Sequence, residues 1–360
     1  MPSSVHVDAN RGWGGGQVQS LGLALALSAR GEEIWFVAQR GSELASRVNG
    51  TYLSWETMSL RGLAGVMDSG RLARRLREWK ADIVHIHDAA SQGPAGLAAR
   101  LARKPKVVVT RRTQFPVRGG WLGRAKYDLC DCVICVSEAV RRGCLEAGLP
   151  DRKLRVIPDF VDCRHFDPEA VPVGERNGGQ RIVMVGRLTR TKGHRMLLRA
   201  MGQVSREVPE ARLVIYGEGE EAGALKREAA AAGVDEGVTF AGFAADVRAA
   251  LAGADVFVMP SLSEGLGVAV LEAMAMGRPV VVSDAGGLPE SVVHGETGLV
   301  VPAGDAGALA EALVSLLRHR DRAREMGTAG RKRMLEHYDR PRVVGRIMAL
   351  YEELLGGGAV

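Results

Sequence analysis

With 360 residues the chain is too long for one ordinary doubly wound domain and suits two, each with its own core. Aromatic residues make up 5% and glycines number 46, a mix that suits helices packed closely on parallel sheets through short glycine-bearing turns. The net charge of +6 attracts anionic partners of any kind, small molecule, lipid surface or nucleic acid. No run approaches the roughly 18 consecutive apolar residues needed to span a bilayer. Met1-Pro-Ser-Ser lacks the basic region of a secretory leader, so the expected location is the cytoplasm.

The first strand candidate, residues 5–8, runs into Arg11-Gly-Trp-Gly-Gly-Gly-Gln17, a glycine loop ahead of a helical segment at 19–30. The glycines are too tightly grouped for a dinucleotide fingerprint, and no acid sits suitably on the next strand. Apolar runs at 33–38, 83–87, 107–110 and 132–136 alternate with helical periodicity such as that at 70–80. Such alternation implies crossover units and a parallel sheet buried on both faces. Within the run at 83–87 His85 and His87 share a face by the period of two, and only His87 stands at the strand end, where open parallel sheets bind ligands. A histidine on a strand is more often structural, so the residues alone leave its role open.

Four of the five cysteines, Cys130, Cys132, Cys135 and Cys144, crowd together. No second Cys or His pair stands at zinc spacing, and they read as small buried hydrophobes. Between residues 100 and 126 nine side chains are Lys or Arg and none is acidic; residues 71–80 add five more, with Leu72, Leu76 and Trp79 along one helix face. Two readings stay open, a solvated helix over its core stripe or a surface for anionic lipid. The basic stretches lack interleaved stacking aromatics, so a nucleic-acid partner is not expected.

Residues 167–180, rich in Pro, Gly and charge, read as a linker. The strand pattern then restarts at 182–186, 212–217, 238–241, 255–259 and 279–283. The expected organisation is a first domain over 1–166, a second over 181–340 and a terminal helix over 341–360. The most informative stretch is 255–283. There a strand ends at Pro260, Glu264-Gly265-Leu266-Gly267 forms a loop, and a helix begins at Val268. Glycines let backbone approach a ligand, and free N–H groups at the helix start can hold a diphosphate. Eight helical residues would set Glu264 and Glu272 roughly 12 Å apart along the axis, beyond the roughly 5–9.5 Å of paired glycosidase carboxylates. Each carboxylate suits a separate vicinal diol.

The run E-G-L-G…L-E-A-M-A-x-G-x-P-V-V resembles the signature of the family-4 retaining glycosyltransferases. Val185-Gly186-Arg187 through Lys192-Gly193 resembles that family's diphosphate-binding turn, and Asp284-Ala-Gly-Gly-Leu-Pro-Glu290 and Val300-Pro-Ala-Gly-Asp agree with segments further on. The resemblance covers nearly the whole chain. It implies an α/β protein of GT-B architecture: two Rossmann-like doubly wound parallel-sheet domains facing across a cleft, with a C-terminal helix crossing back to the first. It implies transfer of a sugar from a nucleotide-diphosphate sugar to a saccharide or lipid-linked saccharide, with retention and without a metal. Glu264 and His87 would touch the sugar, Glu272 the ribose, and Arg187 and Lys192 the diphosphate, beside Gly186, Gly265, Leu266, Gly267 and Val268. Gly15 and Gly16 would approach the donor phosphate and the acceptor.

No two aspartates are separated by one residue, and no Cys/His cluster at metal spacing is visible in the sequence. Arg111 and Arg112 occupy the expected acceptor loop, where the family often carries a polar or histidine-bearing stretch. They point to an anionic acceptor of lipopolysaccharide or other surface-glycan synthesis and to peripheral attachment at the inner membrane face. Asp159-Phe160 departs from the family's Asn-Gly. A sugar-nucleotide epimerase of the same fold and a non-catalytic nucleotide-sugar-binding protein are the alternatives.

Overall fold

The computed structural model describes residues 2–113, 120–171 and 179–356. Residues 114–119 of the basic loop, Arg118 among them, and 172–178 of the expected linker lie outside the described residues. The chain forms two compact units: Met1–Asp159 with Arg340–Val360, and Phe160–Asp339.

In the first unit β1 (Ser4–Asp8), α1 (Gly15–Ser28), β2 (Ile34–Gln39), α2 (Glu43–Asn49), β3 (Ser54–Met58), α3 (Gly62–Glu78) and β4 (Ile83–Ile86) make up the first half. Then come α4 (Gln92–Ala102), β5 (Lys106–Arg111), α5 (Gly120–Asp128), β6 (Cys132–Cys135), α6 (Glu138–Glu146) and β7 (Leu154–Val156). The strands pair in parallel in the order β3-β2-β1-β4-β5-β6-β7. β4 and β6 are buried along their whole length, which is why they read as unbroken apolar runs.

The second unit opens with β8 (Gln180–Val185), α7 (His194–Glu207), β9 (Ala211–Tyr216), α8 (Ala222–Ala231), β10 (Val238–Gly242) and α9 (Arg248–Ala252). It continues with β11 (Val256–Met259), α10 (Val268–Ala275), β12 (Val280–Ser283), α11 (Leu288–Ser291), β13 (Gly298–Val301), α12 (Ala306–Arg318) and α13 (Arg320–Arg333). Its order is β10-β9-β8-β11-β12-β13. Both sheets reverse direction once, between β1 and β4 and between β8 and β11. Loops leaving the strands at such a point diverge to opposite faces and leave a crevice for ligand.

The last helix, α14 (Arg340–Leu354), belongs to the first unit and packs on α1. Tyr351 is fully buried, with its hydroxyl 2.6 Å from Nδ1 of His85. His85 Nε2 lies 2.6 Å from the Thr110 hydroxyl. His85 is thus the packing residue its strand position suggests, but a polar one with both nitrogens engaged. At the surface Arg155 pairs with Glu353 at 2.7 Å, and Arg346 donates to the Val156 carbonyl.

All five cysteines are buried and unbridged, and burial pushes the Cys130 thiol up to about 11 and Cys132 up to about 12. Inert core thiols are the outcome. Among the described residues no helix is long and apolar enough to cross a membrane.

Replacing Tyr351 by Phe leaves a buried imidazole nitrogen unpaired. It should destabilise the protein by about 1–3 kcal/mol, seen as a lower melting temperature.

Candidate functional site

The residues singled out in the second half gather at the reversal of the second sheet. Gly186 and Arg187 follow β8 directly, and a single 3-10 turn, Arg190–Lys192, leads through Gly193 into α7. Gly193 takes φ 73°, the left-handed region that favours glycine. Lys192 Nζ pairs with the carboxylate of Glu264, which stands after β11 and is 15% exposed. Arg187 is exposed and has no side-chain partner among the described residues. A fixed cation and a free one therefore stand beside the same strand ends.

Gly267 (φ 91°) precedes α10, and no side chain caps that helix. Its first N–H groups are open to an anion. Leu266 is buried, so its side chain is core and only its backbone reaches the loop surface. Glu272 lies one turn inside α10, half-buried, with no side-chain hydrogen bond among the described residues. Burial, with a smaller contribution from the Asp246 charge, pushes its carboxyl up to about 8. Glu264 and Glu272 thus differ chemically: one is paired with a cation, the other has no side-chain partner among the described residues.

In the first unit α1 begins at Gly15, again without a side-chain cap. A Cβ on Gly16 would meet only Arg112 Cδ, at 3.9 Å, so the glycine loop and the Arg112 side chain are neighbours. Arg112 is not free: its Nε lies 2.8 Å from Asp159, in a pair only 15% and 6% exposed. The Asp159 departure is the counter-ion of the Arg112 departure, two changes that make one interaction. Arg111 donates to the Tyr127 hydroxyl at 2.6 Å.

His87 follows β4 and stacks on His85 with ring centroids 4.2 Å apart. Its Nε2 lies 3.0 Å from Nδ1 of His6, a residue of β1 that the sequence reading passed over. The period of two, applied to β1 as it was to β4, would have found it. One ring nitrogen from each of His6, His85 and His87 lies within 4.8 Å of the other two. The sequence showed no such cluster because its members come from two strands. Thr110 and Tyr351 hold both nitrogens of His85, and Ser4 and His87 hold those of His6. Two hydrogen-bonded sets result, Thr110–His85–Tyr351 and Ser4–His6–His87, rather than an open metal-ligand set. Burial comes first in holding all three rings neutral: His6 is lowered to about 3, and His87 lies well below its ordinary range. The neighbouring histidines and Arg112 push His87 the same way.

In the basic run of residues 100–126, three side chains meet acids among the described residues. Lys104 meets Asp82 at 2.7 Å, Lys106 meets Asp131 at 3.7 Å, and Arg112 meets Asp159. On α3, Arg71 and Arg75 pair with Glu56, and Arg74 with Glu78. Leu72, Leu76 and Trp79 are buried, so that face is the core stripe.

Residues 13–165 match the family described as Glycosyltransferase Family 4, and residues 179–319 match that described as Glycosyl transferases group 1. The chain is 36% identical over 291 residues, 75% of it and 76% of the other, to a GDP-mannose-dependent alpha-(1-6)-phosphatidylinositol monomannoside mannosyltransferase of Mycolicibacterium smegmatis. It is 30% identical to the phosphatidyl-myo-inositol mannosyltransferase of Mycobacterium leprae, over 96% of this chain and 95% of that one. Among solved structures, Anabaena HepE in complex with UDP and glucose superposes with TM-score 0.85 at 19% identity, covering 97% of this chain and 99% of that one. A glycosyltransferase from Rickettsia africae reaches 0.88 at 19% identity over 99% of both chains. The fold is the GT-B fold implied by the motifs.

The raised Glu272 carboxyl makes a pH prediction. A carboxyl that holds its proton more tightly when folded favours the folded chain at low pH. That stability is lost as pH rises from the ordinary 4.5 to about 8. Without nucleotide sugar, Glu272→Gln should therefore melt higher than the parent at pH 8, by roughly 1–3 kcal/mol, with the difference fading towards pH 4.5. A thermal-melt series across this range measures it.

Proposed function

The chain belongs to the family-4 glycosyltransferases, glycosyl transferases group 1, and from that footing we propose that it moves a sugar from a nucleotide-diphosphate sugar to a hydroxyl of a lipid-linked saccharide or another surface-glycan precursor, lipopolysaccharide included, with retention and without a metal. The observation that carries the reading is the second unit's strand-end constellation of free Arg187, paired Lys192 and Glu264, and unpartnered Glu272. The GDP-mannose-dependent relative makes GDP-mannose the first donor to test.

A leaving diphosphate gains charge as the bond from the anomeric carbon to its oxygen breaks. Arg187 and Lys192 stabilise that gain, in the role a divalent ion fills elsewhere. As phosphate oxygens draw Lys192, the Glu264 carboxylate is released to accept from sugar hydroxyls. Glu272 accepts from the ribose diol. The new bond forms on the face the diphosphate leaves, and a leaving phosphate oxygen takes the acceptor proton. His87 carries over from the family as a contact to the donor sugar, while Gly15 and Gly16 present backbone to phosphate.

Arg187→Ala and Lys192→Ala should each lower turnover on the order of a hundredfold, with chelator leaving the parent's rate unchanged. Single-turnover assays with GDP-mannose and other nucleotide sugars test this. Unaltered turnover in both variants removes the assignment, and activity abolished by chelator removes metal independence.

A cytoplasmic enzyme acting on lipid-linked acceptors would work at the membrane surface. Leu63 and Met67 at the start of α3 are 79% and 78% exposed, and Val66 beside them is also exposed. They share one helix face by the i, i+3, i+4 rule. Leu97 and Leu101 are exposed on α4, which packs against α3 and carries Arg100. Apolar side chains next to Arg100, which has no acid partner among the described residues, suit an anionic bilayer surface. The parent should sediment with anionic vesicles at low salt and Leu63→Asp/Met67→Asp should not; a parent left in the supernatant rules the surface out.

A further inference from the structure

Ser4, His6 and His87 form a line of buried polar groups. The Ser4 hydroxyl lies 3.2 Å from His6 Nε2, and His6 Nδ1 lies 3.0 Å from His87 Nε2. His87 Nδ1 is buried and has no partner among the described residues. Ser4 and His6 are fully buried, and His87 is 5% exposed. The His6 ring stacks on His87, at 12° between planes, so each ring fixes the other's orientation.

Two neutral proton arrangements fit this line. In one, Ser4 donates to His6 Nε2, His6 Nδ1–H donates to His87 Nε2, and His87 carries its proton on Nδ1. In the other every bond is reversed: His87 Nε2–H donates to His6 Nδ1, and His6 Nε2–H donates to the Ser4 oxygen. The reversed line orphans two groups, the Ser4 hydroxyl hydrogen and the bare His87 Nδ1. The forward line orphans only the His87 Nδ1–H. A buried donor without an acceptor carries its full desolvation cost. The forward line is therefore favoured, and its single orphan stands on the residue at the end of β4. A charged line is disfavoured by burial and by the neighbouring Arg112.

We propose that Ser4 and His6 are positioning residues that fix His87 as its Nδ1–H tautomer, so that the ring offers its ligand a hydrogen-bond donor and not an acceptor. The partner atom is then an oxygen with a free lone pair, as on a sugar hydroxyl or a phosphate. The functional weight of this rests on the reading of His87 as a donor-sugar contact; the tautomer itself does not.

Side-chain nitrogen NMR on protein with ring-labelled histidine separates the two, because protonated and bare ring nitrogens resonate far apart. Signals of His87 and His6 are assigned by their loss in His87→Gln and His6→Gln. The expected result is a protonated Nδ1 and a bare Nε2 on both rings. In Ser4→Ala both rings should move to a mixture of tautomers, with turnover lowered on the order of tenfold, and Ser4→Thr should restore both. A bare Nδ1 on His87 in the parent overturns the proposal, as does an unchanged His87 tautomer in Ser4→Ala. Should His87→Ala keep full turnover while the tautomers behave as expected, the sugar-contact reading fails and the positioning chain stands.

Discussion

A Cβ on residue 193 would lie 1.8 Å from the carbonyl oxygen of Pro260, and one on residue 217 would lie 1.9 Å from that of Gly186. One on residue 219 would come within 2.3 Å of the Leu188 oxygen. The loops leaving β8, β9 and β11 therefore meet backbone to backbone, a contact only glycine permits at all three places. The Leu262 amide donates to the Thr191 carbonyl at 2.7 Å across the same seam. Everything in the second unit's constellation follows from that closeness. It sets Lys192 beside Glu264 and leaves Arg187 on the outer side of the turn. The two cations are held by main chain rather than by flexible stems alone, and such preorganisation makes a cation effective on a developing charge.

The first unit achieves comparable rigidity by polar burial. Asp88 accepts from the Ala9, Ala90 and Ser91 amides, and Asp8 from Gln17, Ser20 and the Asn10 amide. These bonds tie the loop after β4 to the end of β1 and to the first turns of α1. The Ser4–His6–His87 line crosses the same two strands, and Tyr351 fastens α14 to His85, whose ring stacks on His87. Partly satisfied buried networks are costly, whereas complete ones specify a single arrangement. Among the unmet buried groups of this unit, His87 Nδ1 and Arg112 Nη1 stand beside that network.

The central strands could be read in the sequence because burial on both faces leaves an unbroken apolar signal. β3 and β7, at the sheet edges, carry Ser54, Glu56 and Arg155 and have no such signal. They were missed, as was the short β13. Glu264, Glu272, Arg187 and Lys192 were legible as a motif, since loop glycines and helix register fix them locally. Their chemical states were not: the Lys192–Glu264 pair spans 72 positions, and the solitude of Glu272 depends on what surrounds α10. The compensation of the basic run by Asp82, Asp131 and Asp159 is likewise a tertiary fact. Three of the run's basic side chains are thereby taken up within the first unit.

The contrast between the two carboxylates bears on how such a site is kept. Lys192 and Glu264 satisfy each other, so their placement costs the fold little. Glu272 has no such partner, and above neutral pH its charge is a standing penalty. A helix position facing this environment would be filled at less cost by an apolar residue of similar size. A half-buried carboxylate with a raised pKa that opposes folding would gain from hydrogen-bond donors supplied by a ligand. On the proposed reading, hydroxyls of a bound diol would supply two donors to this carboxylate without adding charge, leaving the cations for phosphate. Within the second unit the pairing of Lys192 with Glu264 and the lack of a partner for Glu272 among the described residues are what that reading builds on.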